Sequence, residues 1–161
     1  MRVFHIIPSA FEYFGDIYDQ AFTMVDKLNE AGVEANALSI QFGTTKQSDI
    51  EHTSKIAPAR KYVGSFSVAT GLEEMVNYDI VHLHFPTFGA SGRIVSCLKK
   101  FKEIPLVITY YHPARLSDLF SAAIILSNWW YKPKFFKRAQ VVVNNKVPVE
   151  KLIKIYSDFY T

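Results

Sequence analysis

A single cysteine, Cys97, stands in 161 residues, and one thiol cannot close an internal disulfide. That removes the disulfide-stapled secreted scaffolds and makes a reducing compartment, the cytoplasm, the expected one. Seven glycines are present, and nowhere do they form G-x-G-x-x-G, which speaks against a nicotinamide or flavin dehydrogenase. Long apolar runs are missing too. The most apolar stretch, 119–131, is broken by Ser121, Ser127 and Asn128 and closed by Lys132, short of the roughly 20 residues that a membrane-spanning helix needs. Met1 leads directly into a strand-like pattern with no cleavage site behind it, so no export signal is expected. There is no repeat and no low-complexity run. The formal charge of only +3, with a pI near 8.9, gives no ground for a nucleic-acid partner without a recognised binding module.

What is present is core-forming material. Hydrophobic residues make up 49% of the chain against 20% charged, enough for one domain over 1–161 that buries about 70% of its unfolded surface. The run Val3-Phe4-His5-Ile6-Ile7, stopped by Pro8, reads as a strand buried on both faces. Over 16–31 the apolar positions Ile17, Ala21, Met24, Val25 and Leu28 recur at helical spacing, and Gly32 follows as a C-cap. A second strand is expected over 33–40, an irregular polar excursion over 41–57, a short strand over 61–63 and a short helix over 67–76. Asp79-Ile80-Val81-His82-Leu83-His84-Phe85-Pro86 is the clearest strand. A helix over 89–101, a strand over 106–110, a largely buried helix over 116–131, a strand over 139–143 and a helix over 149–156 complete the pattern. Strands alternating with helices imply an α/β, Rossmann-like three-layer αβα sandwich with a mainly parallel sheet and right-handed crossovers. Ligands gather at strand C-termini in such folds, so the loops at 9–16, 84–87, 111–113 and 144–146 should line one crevice.

Several residues in those loops carry candidate chemistry. Gly15 precedes the first helix, where free backbone N–H groups can meet a phosphate, although a lone glycine there also reads as a plain turn. His82 and His84 lie two apart and therefore on one face of a strand, a spacing open to metal ligation. Phe85, Pro86, Thr87 and Phe88 then supply no further ligand, which favours core or loop-anchoring histidines and no metal. His112, just past a strand, can hydrogen-bond a hydroxyl or carbonyl near neutral pH, or simply anchor Pro113. Trp129, Trp130, Tyr131, Lys132, Lys134, Phe135, Phe136, Lys137 and Arg138 interleave aromatic and basic side chains, which suits a membrane surface or a partner as well as a packed helix with a solvated basic end.

Taken together, Met1-Arg2-Val3-Phe4-His5-Ile6-Ile7-Pro8, Gly15 before a helix ending in Ala31-Gly32-Val33-Glu34-Ala35, and above all Tyr78-Asp79-Ile80-Val81-His82-Leu83-His84 resemble the N-terminal, acceptor-side domain of retaining GT-B glycosyltransferases. Pro105-Leu106-Val107-Ile108-Thr109-Tyr110-Tyr111-His112 is similar to that family's next strand and active-site histidine, and Arg138-Ala139-Gln140-Val141-Val142-Val143-Asn144-Asn145 to its last. The resemblance implies that Gly15 approaches the donor diphosphate, that His112 contacts the transferred sugar, and that Asp16, His84 and Asn145 border the cleft. It implies a nucleotide-diphosphate sugar as donor and no tightly bound cofactor. Asp16 stands where the family usually has a second glycine, and its carboxylate would repel a diphosphate unless a cation intervenes. Asn145 replaces a usual serine, and Val33 a histidine. The family's paired glutamates, E-x7-E, are absent. By this resemblance the donor-binding domain is expected on a separate chain, or a homo-oligomer forms, and the chain alone is expected to be inactive.

Two other readings compete. One is a non-catalytic module that uses the same crevice for a glycan, a lipid head group or a protein, with peripheral contact at the inner face of the membrane through 129–138. The other is a receiver-like signalling domain, suggested by Asp79-Ile80-Val81. His84 at the strand end and the lack of an acidic cluster beyond Glu12 and Asp16 count against it.

Overall fold

The computed structural model describes residues 1–10, 15–42, 61–63, 66–68, 71–87, 89–111 and 119–160. Its elements in chain order are β1 (Arg2–Ala10), α1 (Gly15–Glu30), β2 (Glu34–Phe42), β3 (Lys61–Val63), β4 (Phe66–Val68), the 3-10 turn η1 (Leu72–Asn77), β5 (Ile80–Phe85), α2 (Ser91–Lys100), β6 (Leu106–Tyr110), α3 (Leu119–Arg138), β7 (Val141–Asn144) and α4 (Val149–Ser157). Five strands form one sheet in the order β2-β1-β5-β6-β7, and every pairing in it is parallel. The Rossmann-like α/β architecture expected from the sequence is therefore present.

Side-chain alternation on the strands builds two cores. Phe4, Ile6, Val81, Leu83, Phe85, Leu106 and Ile108 face a layer made by α2 and α3. Val3, Ile7, Ile80 and Val107 face Phe22, Val25 and Leu28 of α1 and Leu152 and Tyr156 of α4. β5 is buried at every position, as a central strand of a two-faced parallel sheet must be. The order reverses at β1: the chain steps outward to β2 through α1, then returns to β5 and proceeds the opposite way through α2 and α3. With crossovers of one hand, opposite directions put the helices on opposite faces, which is where α1 and α2 lie.

Local chemistry sets the element ends. Gly32 takes φ +85° and closes α1 with two bonds, Gly32 N–H to the Asn29 carbonyl at 3.0 Å and Val33 N–H to the Leu28 carbonyl at 3.0 Å, a Schellman arrangement. The Asn29 side chain then donates to the Ala35 carbonyl and accepts from its N–H, both at 2.9 Å, which fixes the start of β2. On the other flank of β1, at the same amino-end edge of the sheet, Asp79 accepts from the Arg2 N–H at 2.7 Å and from its guanidinium at 3.3 Å.

The structure departs from the sequence reading in four places. β1 does not stop at Pro8 but pairs with β2 as far as Ala10. Its pairing with β5 ends at Ile6, so Pro8 sits where the strand has only one neighbour and a missing N–H is tolerated. The expected helix over 67–76 is instead β4, antiparallel to β3, followed by η1; β-branched and aromatic Tyr62, Val63, Phe66 and Val68 favour strand, and Gly71 at φ +93° interrupts any helix. The βα alternation is thus broken by this hairpin. Finally, α3 is described from Leu119, with 116–118 lying outside the described residues, and it runs through Pro133 to Arg138, seven residues past the expected end. It is not largely buried either, for Leu126, Trp129 and Trp130 are 65%, 70% and 59% exposed.

Candidate functional site

In a parallel sheet all strands end at one edge, so Ala10, Phe85, Tyr110 and Asn144 deliver their following loops to a common rim. The reversal between β1 and β5 leaves a crevice outside their carboxyl ends. α1 begins there on one face at Gly15, and α2 begins on the other face just after Gly89, which adopts φ +74°. Free N–H groups of the first turn make each helix start an anion-favouring end. The loop before α2 is held by Thr87 and Ser91, whose buried hydroxyls lie 2.8 Å apart.

Gly15 and Asp16 therefore open α1 at the rim, although the Asp16 side chain lies outside the described residues. Asn145 follows β7 at the same edge and donates from Nδ2 to Gln20 Oε1 of α1 at 3.1 Å, tying the last loop to the first helix. His112 lies outside the described residues; Tyr111 is the last one before it.

His84 is not an open cleft residue. It is fully buried, because alternation along β5 turns it to the α1/α4 face together with His82. There the parallel register sets His5 of β1 beside His82. His84 Nε2 lies 3.0 Å from His5 Nδ1, and His84 Nδ1 lies 2.9 Å from the Tyr111 hydroxyl. His82 shares one hydrogen bond with the Tyr156 hydroxyl of α4 and another, at 2.7 Å, with Thr109 Oγ1. Two directions satisfy the first chain: Tyr111 donates to His84 and His84 to His5, or the reverse. Either way His5 Nε2 is buried without a partner among the described residues.

Burial holds the His82 pKa down to about 3. Burial and the neighbouring imidazoles hold His5 and His84 well below the usual histidine value, so all three are neutral near pH 7. Burial likewise pushes the Tyr111 and Tyr156 hydroxyls up. His5, His82 and His84 bring ligand atoms within 4.8 Å of one another. Even so, the geometry suits a hydrogen-bonded core better than a metal. The His82 and His84 rings are stacked, with centroids 4.8 Å apart and planes 6° apart, so their in-plane lone pairs run side by side and do not converge on one point 2.0–2.1 Å away, as zinc would need. The sequence reading saw His82 and His84 but missed His5, Thr109, Tyr111 and Tyr156. Strand parity on β1 was the available signal for His5; the α4 contact of Tyr156 carried none.

The aromatic and basic group at 129–138 is divided by the helix. Trp129, Trp130, Lys134 and Lys137 are on the exposed side. Two members of the expected surface turn inward: Lys132 Nζ sits 4.5 Å from the Tyr110 ring centre and 5.2 Å from that of Phe136. Arg138 donates to the carbonyls of Lys102 at 2.7 Å and Ile104 at 2.6 Å, holding the turn between α2 and β6. These two side chains serve the fold.

No family model and no curated protein matches the sequence. Among solved structures, the chain is similar to an alpha-glucosyltransferase in complex with UDP and a 13-mer DNA containing a central A:G mismatch, at TM-score 0.53 and 18% identity over 89% of this chain. The match spans 37% of that glucosyltransferase's length. At this identity the likeness concerns the fold: this chain has a glycosyltransferase-like α/β fold.

Proposed function

We propose that the chain is the acceptor-side half of a retaining, sugar-nucleotide-dependent glycosyltransferase, completed by a donor-binding domain carried on another polypeptide or beyond residue 161. The observation that carries this reading is the crevice at the β1–β5 reversal, flanked by the starts of α1 and α2, in a fold shared over 89% of its length with a glucosyltransferase bound to UDP.

In this reading the N–H groups at the start of α1, beginning with Gly15, stabilise the negative charge that builds on the departing diphosphate, an effect worth about 3 kcal/mol per well-placed donor. His112 contacts the transferred sugar. His84 is a positioning residue, holding Tyr111 and hence the chain entering residue 112 through its 2.9 Å bond. Asp16 disfavours a bare diphosphate and calls for a cation or a turned-away carboxylate. Asn145 acts by bracing α1 through Gln20. Transfer needs donor and acceptor held at near-attack distance, and one half cannot do that alone.

The test is reconstitution. The purified chain is mixed with a donor-binding domain encoded in an adjacent reading frame, and UDP release from UDP-hexoses is followed. Release is expected only when both parts are present, falling about a hundredfold or more in His112→Ala. Absence of both complex formation and UDP release with every such domain contradicts the proposal and leaves the non-catalytic module.

A further inference from the structure

The α2/α3 layer differs from the rest of the molecule in charge. These two helices hold Arg93, Lys99, Lys100, Lys132, Lys134, Lys137 and Arg138 and not one acidic residue, although the whole chain has 18 basic and 15 acidic residues. The remainder of the chain is therefore net negative. Along α3 the residues Ala122, Ala123, Leu126, Trp129, Trp130, Pro133, Lys134 and Lys137 are all exposed, and at 100° per residue they fall within one arc of about 140°. The inward arc holds Ile124, Asn128 and Phe135. α3 thus shows solvent an apolar stripe with two tryptophans and a basic end, where Lys134 Nζ lies 4.8 Å from both the Trp130 and Tyr131 ring centres.

We propose that this stripe docks the domain on the surface of an anionic lipid bilayer, with Leu126, Trp129 and Trp130 entering the headgroup region and Lys134 and Lys137 meeting lipid phosphates. Tryptophan favours the bilayer interface because its ring is apolar and its N–H polar, and lysines near an anionic surface add attraction. A second copy of the chain is a poorer occupant, since it would set one uniformly basic helix against another. Nucleic acid is poorer as well: Leu126 and Pro133 offer it nothing, Arg93 is paired with Glu73, and Arg138 is spent on carbonyls. The stripe lies on the outer side of the helix layer and not at the strand-end crevice, so docking leaves that crevice open.

The sequence has two tryptophans, and both are on this stripe, so tryptophan emission, excited selectively over tyrosine, reports on it alone. The full chain is titrated with vesicles of phosphatidylcholine, with and without an equal part of phosphatidylglycerol, at low and high salt. The expected result is a blue-shifted emission and co-sedimentation with the anionic vesicles, weakened by salt. Lys134→Gln with Lys137→Gln should weaken binding about twenty-five-fold, at about fivefold per lysine. Trp129→Gln with Trp130→Gln, followed by co-sedimentation, should weaken it further. Lys151→Gln with Lys154→Gln on α4 should leave it unchanged. Circular dichroism confirms that each variant folds. No binding to anionic vesicles at low salt overturns the proposal, as does equal binding to pure phosphatidylcholine. It is likewise overturned by self-association lost with the tryptophans, or by binding to duplex DNA without partition to vesicles.

Discussion

Three of the five histidines sit in the centre of this protein, and their neutrality is a condition of folding. In the unfolded chain an imidazole titrates near 6.5, whereas burial depresses the folded value, to about 3 for His82 and well below the ordinary value for His5 and His84. As pH falls below about 6.5 the unfolded chain therefore takes up protons that the folded chain refuses. Stability is full above that pH and drops below it, by up to about 1.4 kcal/mol per pH unit for each histidine. Urea melts from about pH 7.5 down to about pH 5 should show a midpoint that holds to about pH 6.5 and falls below it, and a midpoint flat throughout would show that the three imidazoles are not held neutral. Tyr156→Phe isolates one bond of this network. It leaves His82 Nδ1 buried and unpaired, an expected loss of about 1–3 kcal/mol by denaturant melts, with a change under about 0.3 kcal/mol counting against the bond.

Element boundaries follow from a few residues whose roles can be tested singly. Gly32 has no atom near its vacant Cβ position, so Gly32→Ala strains only the positive φ and should cost about 1 kcal/mol, with Gly32→Asn costing less. An equal cost for both would mean that the αL cap is not what matters. Gly32 as the end of α1 was legible in the sequence because a glycine after a helical stripe has a local cause. So was β5, whose burial at every position shows as an apolar run interrupted only by His82 and His84. Of the hairpin, β3 was expected at 61–63 but β4 was not legible, since a three-residue strand carries too little periodicity to separate from a helix. Nor was the course of α3: Lys132-Pro133-Lys134 looks like a stop, yet at an exposed position the lost N–H bond of Pro133 is made up by packing of Phe135 and Phe136 beyond it. A helix apolar on both sides also hides which side is buried, and that is why 116–131 read as a largely buried helix.

For the whole molecule, strand order decides where chemistry can occur. The alternating pattern predicted a parallel sheet and a common rim, and the rim does collect Gly15, the chain leading to 112 and Asn145. His84 belongs to the core beneath it, in line with the reading of His82 and His84 as core histidines and against its placement at the cleft, and its pairing with His5 depends on register with β1. The reversal between β1 and β5 likewise depends on which strands are neighbours, and order along the chain does not state it. The molecule thus has a strand-end crevice and a basic helical flank on separate surfaces. Variants on one should leave the other unaffected: Trp129→Gln with Trp130→Gln should not alter sugar transfer in detergent-free solution with a soluble acceptor, and a loss there would mean that the two surfaces are coupled.

Ligands are predicted to enter at the carboxyl ends of β1 and β5. Amide chemical-shift mapping during titration with UDP-glucose to millimolar concentration tests this directly. Shifts are predicted at Gly15 to Ile17, Thr87 to Ser91 and Asn145 to Lys146. Shifts confined to the opposite edge, at Arg2, Asp79 and Leu106, would contradict it.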